Sequence, residues 1–278
     1  MINHLSCKFK TLNLTFYYFI LTLFKNRIAI ISLAKHNFRI RYLGTIGGLL
    51  WGVLLPIATV FTYWAVFSLG FKATGPNGMP FDIYFIVAYL PWSFLTEVLS
   101  ASSIVVINNP HLVKKMVFPT EVLPVVEIIS ATFNHLILFS ITIALLVFHG
   151  TTFGLGFFQI FYSYLCLVTL ALGLSWLLAA ANIFYRDIGQ ILSVVLNFWF
   201  WATPIAWSIE IVPIRYQWVM DLNPAFHIIN GYRDALLYDT SLWTNMLSLI
   251  FFWIFTTVIF ILGGYVFRKL KPEFADVL

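Results

Sequence analysis

Three ionisable side chains sit where ionisation is costly. Glu97, Glu127 and His135 fall inside long apolar runs, with Asn134 beside the histidine. Acids at membrane depth are functional candidates by default, because a charge there must pair, reach water or relay a proton. A proton-coupled transporter or a channel would use such groups. The plainer alternatives are a structural pair with Arg41 or Lys115, a protonated carboxyl in a helix hydrogen bond, and a hydrogen-bonded packing role for the lone histidine. By helix rise Glu97 lies about 15 Å short of one end of its run and Glu127 about 8 Å into the next. The two acids could border one cavity at different depths. No carboxylate pair, nucleophile–base set or metal-ligand spacing occurs, so no catalytic or metal-binding residue is assigned. Cys7 and Cys166 imply no disulfide framework. There is no Gly-x-x-x-x-Gly-Lys-Ser/Thr phosphate cradle, so ATP is not handled here by the usual P-loop. A membrane-bound glycosyl- or acyltransferase is disfavoured by the missing Asp-x-Asp motif and by the small soluble mass.

These groups are carried by a chain of 278 residues that is 61% hydrophobic and only 10% charged, with a mean hydropathy of +0.91. Soluble domains carry about a quarter charged residues. Apolar blocks of about twenty residues or more mark transmembrane helices. The expected fold is an all-α integral membrane protein with six spans, at Ile46–Leu69, Ile83–Ile107, Val122–Val147, Leu155–Phe184, Ile188–Trp207 and Met246–Val266. The fourth is over-long and must tilt or leave the membrane early. Residues 1–44 form an arm with Lys8, Lys10, Lys25, Arg27, Lys35, Arg39 and Arg41 and no acid. Its apolar part, Leu12 to Phe24, resembles a signal peptide, but Lys25 and Arg27 interrupt it before Ser32-Leu33-Ala34. We read an uncleaved arm with an amphipathic helix along the membrane surface. Residues 45–267 make the six-span domain and 268–278 a tail.

Connections set the orientation. Beside the arm's seven basic residues, Lys114, Lys115, Arg186, Arg268, Lys269 and Lys271 fall on one side, leaving Lys72, Arg215 and Arg233 on the other. The positive-inside rule then places both termini in the cytoplasm. On the outer side, residues 70–82 read as a turn-rich loop. Segment 208–243 is long, with Phe226, Ile229, Tyr232 and Leu236 at near-helical spacing after Asn223-Pro224, a helix-start signal. It is expected to form short interfacial or re-entrant helices in the outer leaflet. On the inner side, loop 107–122 holds two lysines between Pro110 and Pro119, which bracket a short helix. A plain topology anchor and a docking site for a partner both fit that loop.

Four motifs carry a family resemblance. Arg39-Ile40-Arg41-Tyr42-Leu43-Gly44-Thr45, running into Gly47-Gly48-Leu49-Leu50-Trp51, resembles the approach to the first span in ABC-2 type permeases of the polysaccharide-exporter branch. Asn109-Pro110-His111-Leu112-Val113-Lys114-Lys115, with Phe118-Pro119 and Leu123-Pro124, is similar to their cytoplasmic coupling loop. Asn182-Ile183-Phe184-Tyr185-Arg186-Asp187-Ile188 resembles the link between their fourth and fifth spans. Leu222-Asn223-Pro224 with Gly231-Tyr232-Arg233-Asp234-Ala235-Leu236-Leu237 resembles their outer segment before the last span. The match runs from about residue 35 to the end, with Leu43 where a basic or polar residue is expected.

The resemblance implies a homodimer in a bacterial cytoplasmic membrane that exports a lipid-linked polysaccharide, such as an O-antigen, capsular or teichoic-acid-like polymer. It implies two copies of a separate ATPase that binds the ATP and Mg, this chain holding no cofactor. Beyond these and membrane lipids no partner is expected, and no nucleic acid. ATPase coupling falls to Asn109, Pro110, Leu112, Lys114, Lys115, Phe118 and Pro119. Arg39, Arg41 and Tyr42 mark the interface helix, where lipid headgroups are the simplest ligand. Asn223, Pro224, Tyr232, Arg233 and Asp234 mark an outer gate. Arg233 and Asp234, adjacent on a helix, need separate partners. Sugar rings stack on aromatic faces, so Phe61, Trp64, Phe85, Tyr89, Trp92, Trp199 and Trp201 are candidates to line a channel. Trp92 and Trp199 lie roughly 14 and 16 Å inside their spans, too deep for an interfacial belt. Helix packing is the alternative for each.

Overall fold

A computed structural model describes residues 19, 21–42, 47–114, 119–241 and 246–278. Among them every regular element is helical. Helix α1 is Arg27–Tyr42. Helix α2, Trp51–Trp64, is prolonged by π-type turns over Ala65–Gly70, and α3 is Phe81–Ile104. A single turn, α4 (Pro110–Lys114), precedes α5 (Leu123–Phe148). Then come α6 (Gln159–Phe184) and α7 (Ile188–Ala202). The short α8 (Ile214–Asp221) and α9 (Pro224–Arg233) lead to α10 (Met246–Leu270) and the terminal α11 (Phe274–Val277).

Five stretches among the described residues are long and apolar enough to cross a membrane: Trp51–Gly70, Phe81–Ile104, Thr120–Phe148, Leu155–Phe184 and Met246–Val277. The expected fifth span behaves differently. Its helix stops at Ala202 after 15 residues, about 22 Å of helix against a hydrocarbon core of about 30 Å. The cause is Pro204, which disfavours helical backbone at the residue before it; Thr203 is extended, at φ −105° and ψ 135°.

Helix α3 is the axis of the bundle. In its apolar window 72% of residues are buried, against 6% in the first span, and α2, α5, α6, α7 and α9 all pack on it. Pro56 and Pro91 sit inside α2 and α3, as transmembrane helices tolerate where neighbours re-satisfy the backbone. A close backbone approach joins α6 to α10. A Cβ on Gly263 would lie 2.2 Å from the Gly173 carbonyl oxygen, and one on Gly173 would lie 2.9 Å from the Phe260 backbone. Small residues permit such contact between membrane helices, where packing rather than water exclusion drives association.

Within the described part of segment 208–243, α8 and α9 are short helices, and the apolar face of α9 is covered by protein. Phe226, Ile229, Tyr232 and Leu236 are buried, and α9 packs on α3, α6 and α10. Helix α8 is the exposed one, with Ile214, Tyr216 and Trp218 uncovered.

Candidate functional site

Helix α4 lies at the end of the bundle where the chain's C-terminus also sits. Asn109 caps the preceding turn, its Nδ2 donating to the Val105 carbonyl at 2.8 Å. Val113 is buried and Leu112 half-buried, while Lys114 and His111 are exposed. Pro119 is extended and begins the turn into α5. Lys115 and Phe118 lie outside the described residues.

The tail was not foreseen as part of this site. Phe274 is fully buried, 5.2 Å edge-on from Phe267 and 6.3 Å from Phe184. Helix α11 thereby touches α4 and α6 together. Lys271 pairs with Glu121 at 2.5 Å, tying the tail to the start of α5. Asn182, in the fourth-to-fifth linker motif, donates to the Ser103 carbonyl at 2.9 Å and accepts from the Gly189 backbone at 3.2 Å. One side chain thus joins the ends of α3, α6 and α7.

Helix α1 packs across this end, Ile30 and Ala34 meeting Val122 in the turn before α5 and Val126 within it. Arg39 is exposed; the side chains of Arg41 and Tyr42 lie outside the described set. Asn37 donates to Glu127 at 2.7 Å, so that carboxylate is held by an amide from α1. Glu97 is held in the same way by Asn134 at 2.8 Å, but elsewhere. It borders a cavity of about 380 Å³ between α2, α3 and α5, together with Asn134 and His135; Glu127 does not line it. The two acids occupy separate places.

The aromatic candidates divide by exposure. Phe85 is fully buried, stacked with Tyr63 at 4.5 Å and Tyr89 at 5.4 Å. Trp92 is buried edge-on against Trp199 at 5.7 Å. Tyr89 borders the larger cavity, and Phe61 and Trp64 border a second of about 220 Å³. Phe61 and Trp201 are exposed on the subunit surface, at 61% and 49%.

At the opposite end Asn223 organises α9. Its Oδ1 accepts from the Ala225 backbone at 3.1 Å as an N-cap, with Pro224 pre-set for the first turn. The same oxygen accepts from Trp199 Nε1 at 2.8 Å, and its Nδ2 donates to Thr203 Oγ1 at 2.8 Å. Tyr232 reaches His135 Nε2 at 3.1 Å. Arg233 and Asp234 have separate partners. The guanidinium lies 3.7 Å from the Tyr84 ring centre and donates to the Ile205 carbonyl at 3.3 Å. Asp234 accepts from Thr240 at 2.7 Å; burial pushes its carboxyl up, against that bond and the Arg233 charge. The Tyr84 contact escaped sequence reasoning, since nothing in a run of apolar residues marks which tyrosine meets a distant arginine.

A family model described as ABC-2 type transporter matches residues 28–237. The chain belongs to the ABC-2 type transporter family. Two proteins from Klebsiella pneumoniae, both described as O-antigen export system permease protein RfbA, are 26% and 25% identical to it over 250 residues, 90% of this chain and 94% of each relative. A Myxococcus xanthus protein of the same description is 25% identical over 258 residues, 91% and 96% of the two chains. The ABC-2 match takes in α1, α4 and α9, the three elements on which the interface, loop and outer motifs fall.

Proposed function

We propose that this chain is the permease subunit of an ATP-driven exporter of a lipid-linked polysaccharide, working as a homodimer. The observation that carries this reading is its end-to-end similarity to O-antigen export permeases, over 90% or more of each chain. In this reading α7 and the turn after it complete a sixth span, α1 lies on the inner surface, and both termini are cytoplasmic. Two copies of a separate ATPase, which bind ATP and Mg, dock on α4 through Lys114 and Lys115. Closure of the ATPase pair moves α4 as a rigid element. Exposed aromatics such as Phe61 and Trp201 offer stacking faces to the glycan, and the Asn223–Asp234 segment gates the outer side.

Reconstituting the chain with its ATPase and measuring ATP hydrolysis against lipid-linked glycans tests the function directly. Stimulation by one class of glycan is expected; hydrolysis indifferent to every glycan would remove the reading. Lys114→Glu with Lys115→Glu should leave the protein inserted while weakening ATPase association. If association and export survive, the lysines are topology anchors.

A further inference from the structure

Helix α4 is too short to set its own pose. It has five residues, and isolated helices below about 12–15 residues are marginal, so its position comes from what its buried side packs on. Val113 lies in an apolar cluster whose buried aromatic members, among the described residues, are Phe19, Trp176, Phe267 and Phe274. All but Trp176 lie outside residues 28–237, the stretch matched by the ABC-2 type family model. Phe19 comes from the arm, Phe267 from the end of α10 and Phe274 from α11. The matched stretch alone therefore leaves α4 without most of this aromatic packing.

Trp176 links these groups to the turn that follows α4. It stands edge-on to Phe19 at 5.2 Å, and its Nε1 donates to the Glu121 carbonyl at 3.0 Å. The Glu121 carboxylate in turn pairs with Lys271. That turn is thus held through its backbone by α6 and through a side chain by the tail. Helix α11 completes the arrangement by touching α4 and α6 together. A push on α4 moves the spans only while α4 is packed on them, because packed elements move as bodies. A loosened turn takes up the same push by shifting alone.

We propose that Phe274 is a positioning residue for energy coupling: the docked tail fixes α4 in the pose from which motion of the ATPase reaches the spans. Fully buried, Phe274 acts through α4 and not by touching the ATPase. This rests on the exporter reading above and adds a residue outside α4 on which its coupling depends. The test uses the full chain assembled with its ATPase in inside-out vesicles, supplied with a lipid-linked glycan that stimulates hydrolysis. ATPase retained on purification, ATP hydrolysis, and glycan moved per ATP are measured. Phe274→Ala is expected to keep the ATPase bound and hydrolysis within about twofold, while glycan moved per ATP falls at least about tenfold. Phe274→Leu, which refills the site with an apolar side chain, is expected to recover that ratio to within about threefold. A ratio that Phe274→Ala leaves unchanged or raises overturns the proposal. Loss of bound ATPase overturns it too, since the tail would then belong to the docking surface. An unaltered chain that binds no ATPase, or moves no glycan, counts against the exporter reading instead. Should Phe274→Ala fail to accumulate, a specific protease site between Leu270 and Lys271 lets the tail be cut from the assembled complex. The same fall in glycan per ATP is then expected, and an undiminished ratio after the tail is released overturns the proposal.

Discussion

Phe274→Ala should release the C-terminal tail. Phe274 is fully buried between Phe267 and Phe184 and is the main apolar anchor of α11. Emptying a core phenylalanine site costs about 3–5 kcal/mol. At about 1.4 kcal/mol per tenfold, the undocked fraction rises by roughly 10² to several times 10³. The Lys271–Glu121 pair cannot hold the tail alone. Its side chains are 37% and 20% exposed, and such pairs contribute about 1 kcal/mol or less. Lys271→Ala should therefore raise undocking only about fivefold. The assay is labelling of Leu278→Cys by an impermeant maleimide in inside-out vesicles, in a background with Cys7 replaced; Cys166 is buried. Labelling of the Phe274→Ala variant within threefold of the control would refute the reasoning, since α4 would then be held without its aromatic brace.

Three further outcomes follow from contacts inside the bundle. Gly263→Val should prevent α6 and α10 from closing, because its Cβ would meet the Gly173 carbonyl oxygen, whereas Gly264→Ala meets the Trp176 ring at an ordinary 3.8 Å; thermal unfolding in detergent should separate the two by more than about 10 °C, given that 1 kcal/mol moves Tm by about 2–4 °C in a chain of this size. Asn223→Ala loses the α9 cap, worth about 1 kcal/mol, and strands Trp199 Nε1, at a further 1–3 kcal/mol or so; Asn223→Asp, which keeps both accepted bonds, should recover most of the stability in the same melt. Tyr232→Phe removes one buried hydrogen bond to His135, and membrane hydrogen bonds average about 0.6 kcal/mol, so its melting point should fall by only a few degrees.

What was legible in the sequence had a local cause. Pro110 and Pro119 marked the short α4, and Asn223-Pro224 marked the start of α9, because capping chemistry acts over two or three residues. The long spans were legible because hydropathy sums over twenty residues. The end of α7 was set by Pro204, and the apolar residues beyond it hid the stop. Which apolar face meets lipid and which meets protein was not legible, because lipid tails and leucine side chains are equally apolar. Phe85 and Trp92 turned out buried in the subunit, and the α9 face turned out to be covered by α3, α6 and α10. The polar ties, Asn37 to Glu127 and Asn134 to Glu97, join helices 90 and 37 residues apart, and no local pattern announces them.

Those ties converge on α5. The turn leading into it carries Glu121, bound to Lys271 of the tail. Two turns on, Glu127 accepts from α1. Asn134 then binds Glu97 of the central α3, and the next residue, His135, binds Tyr232 of α9. Helix α5 and the turn that opens it thus hold polar contacts with the tail, the arm, the bundle axis and α9. Helices are stiff over this length, and packed contacts give way in discrete steps rather than by bending. Pro119–Val122 runs directly into α5. If loop 107–122 and the Asn223–Asp234 segment act as proposed, a tilt of α5 would link them, with His135–Tyr232 as the last joint.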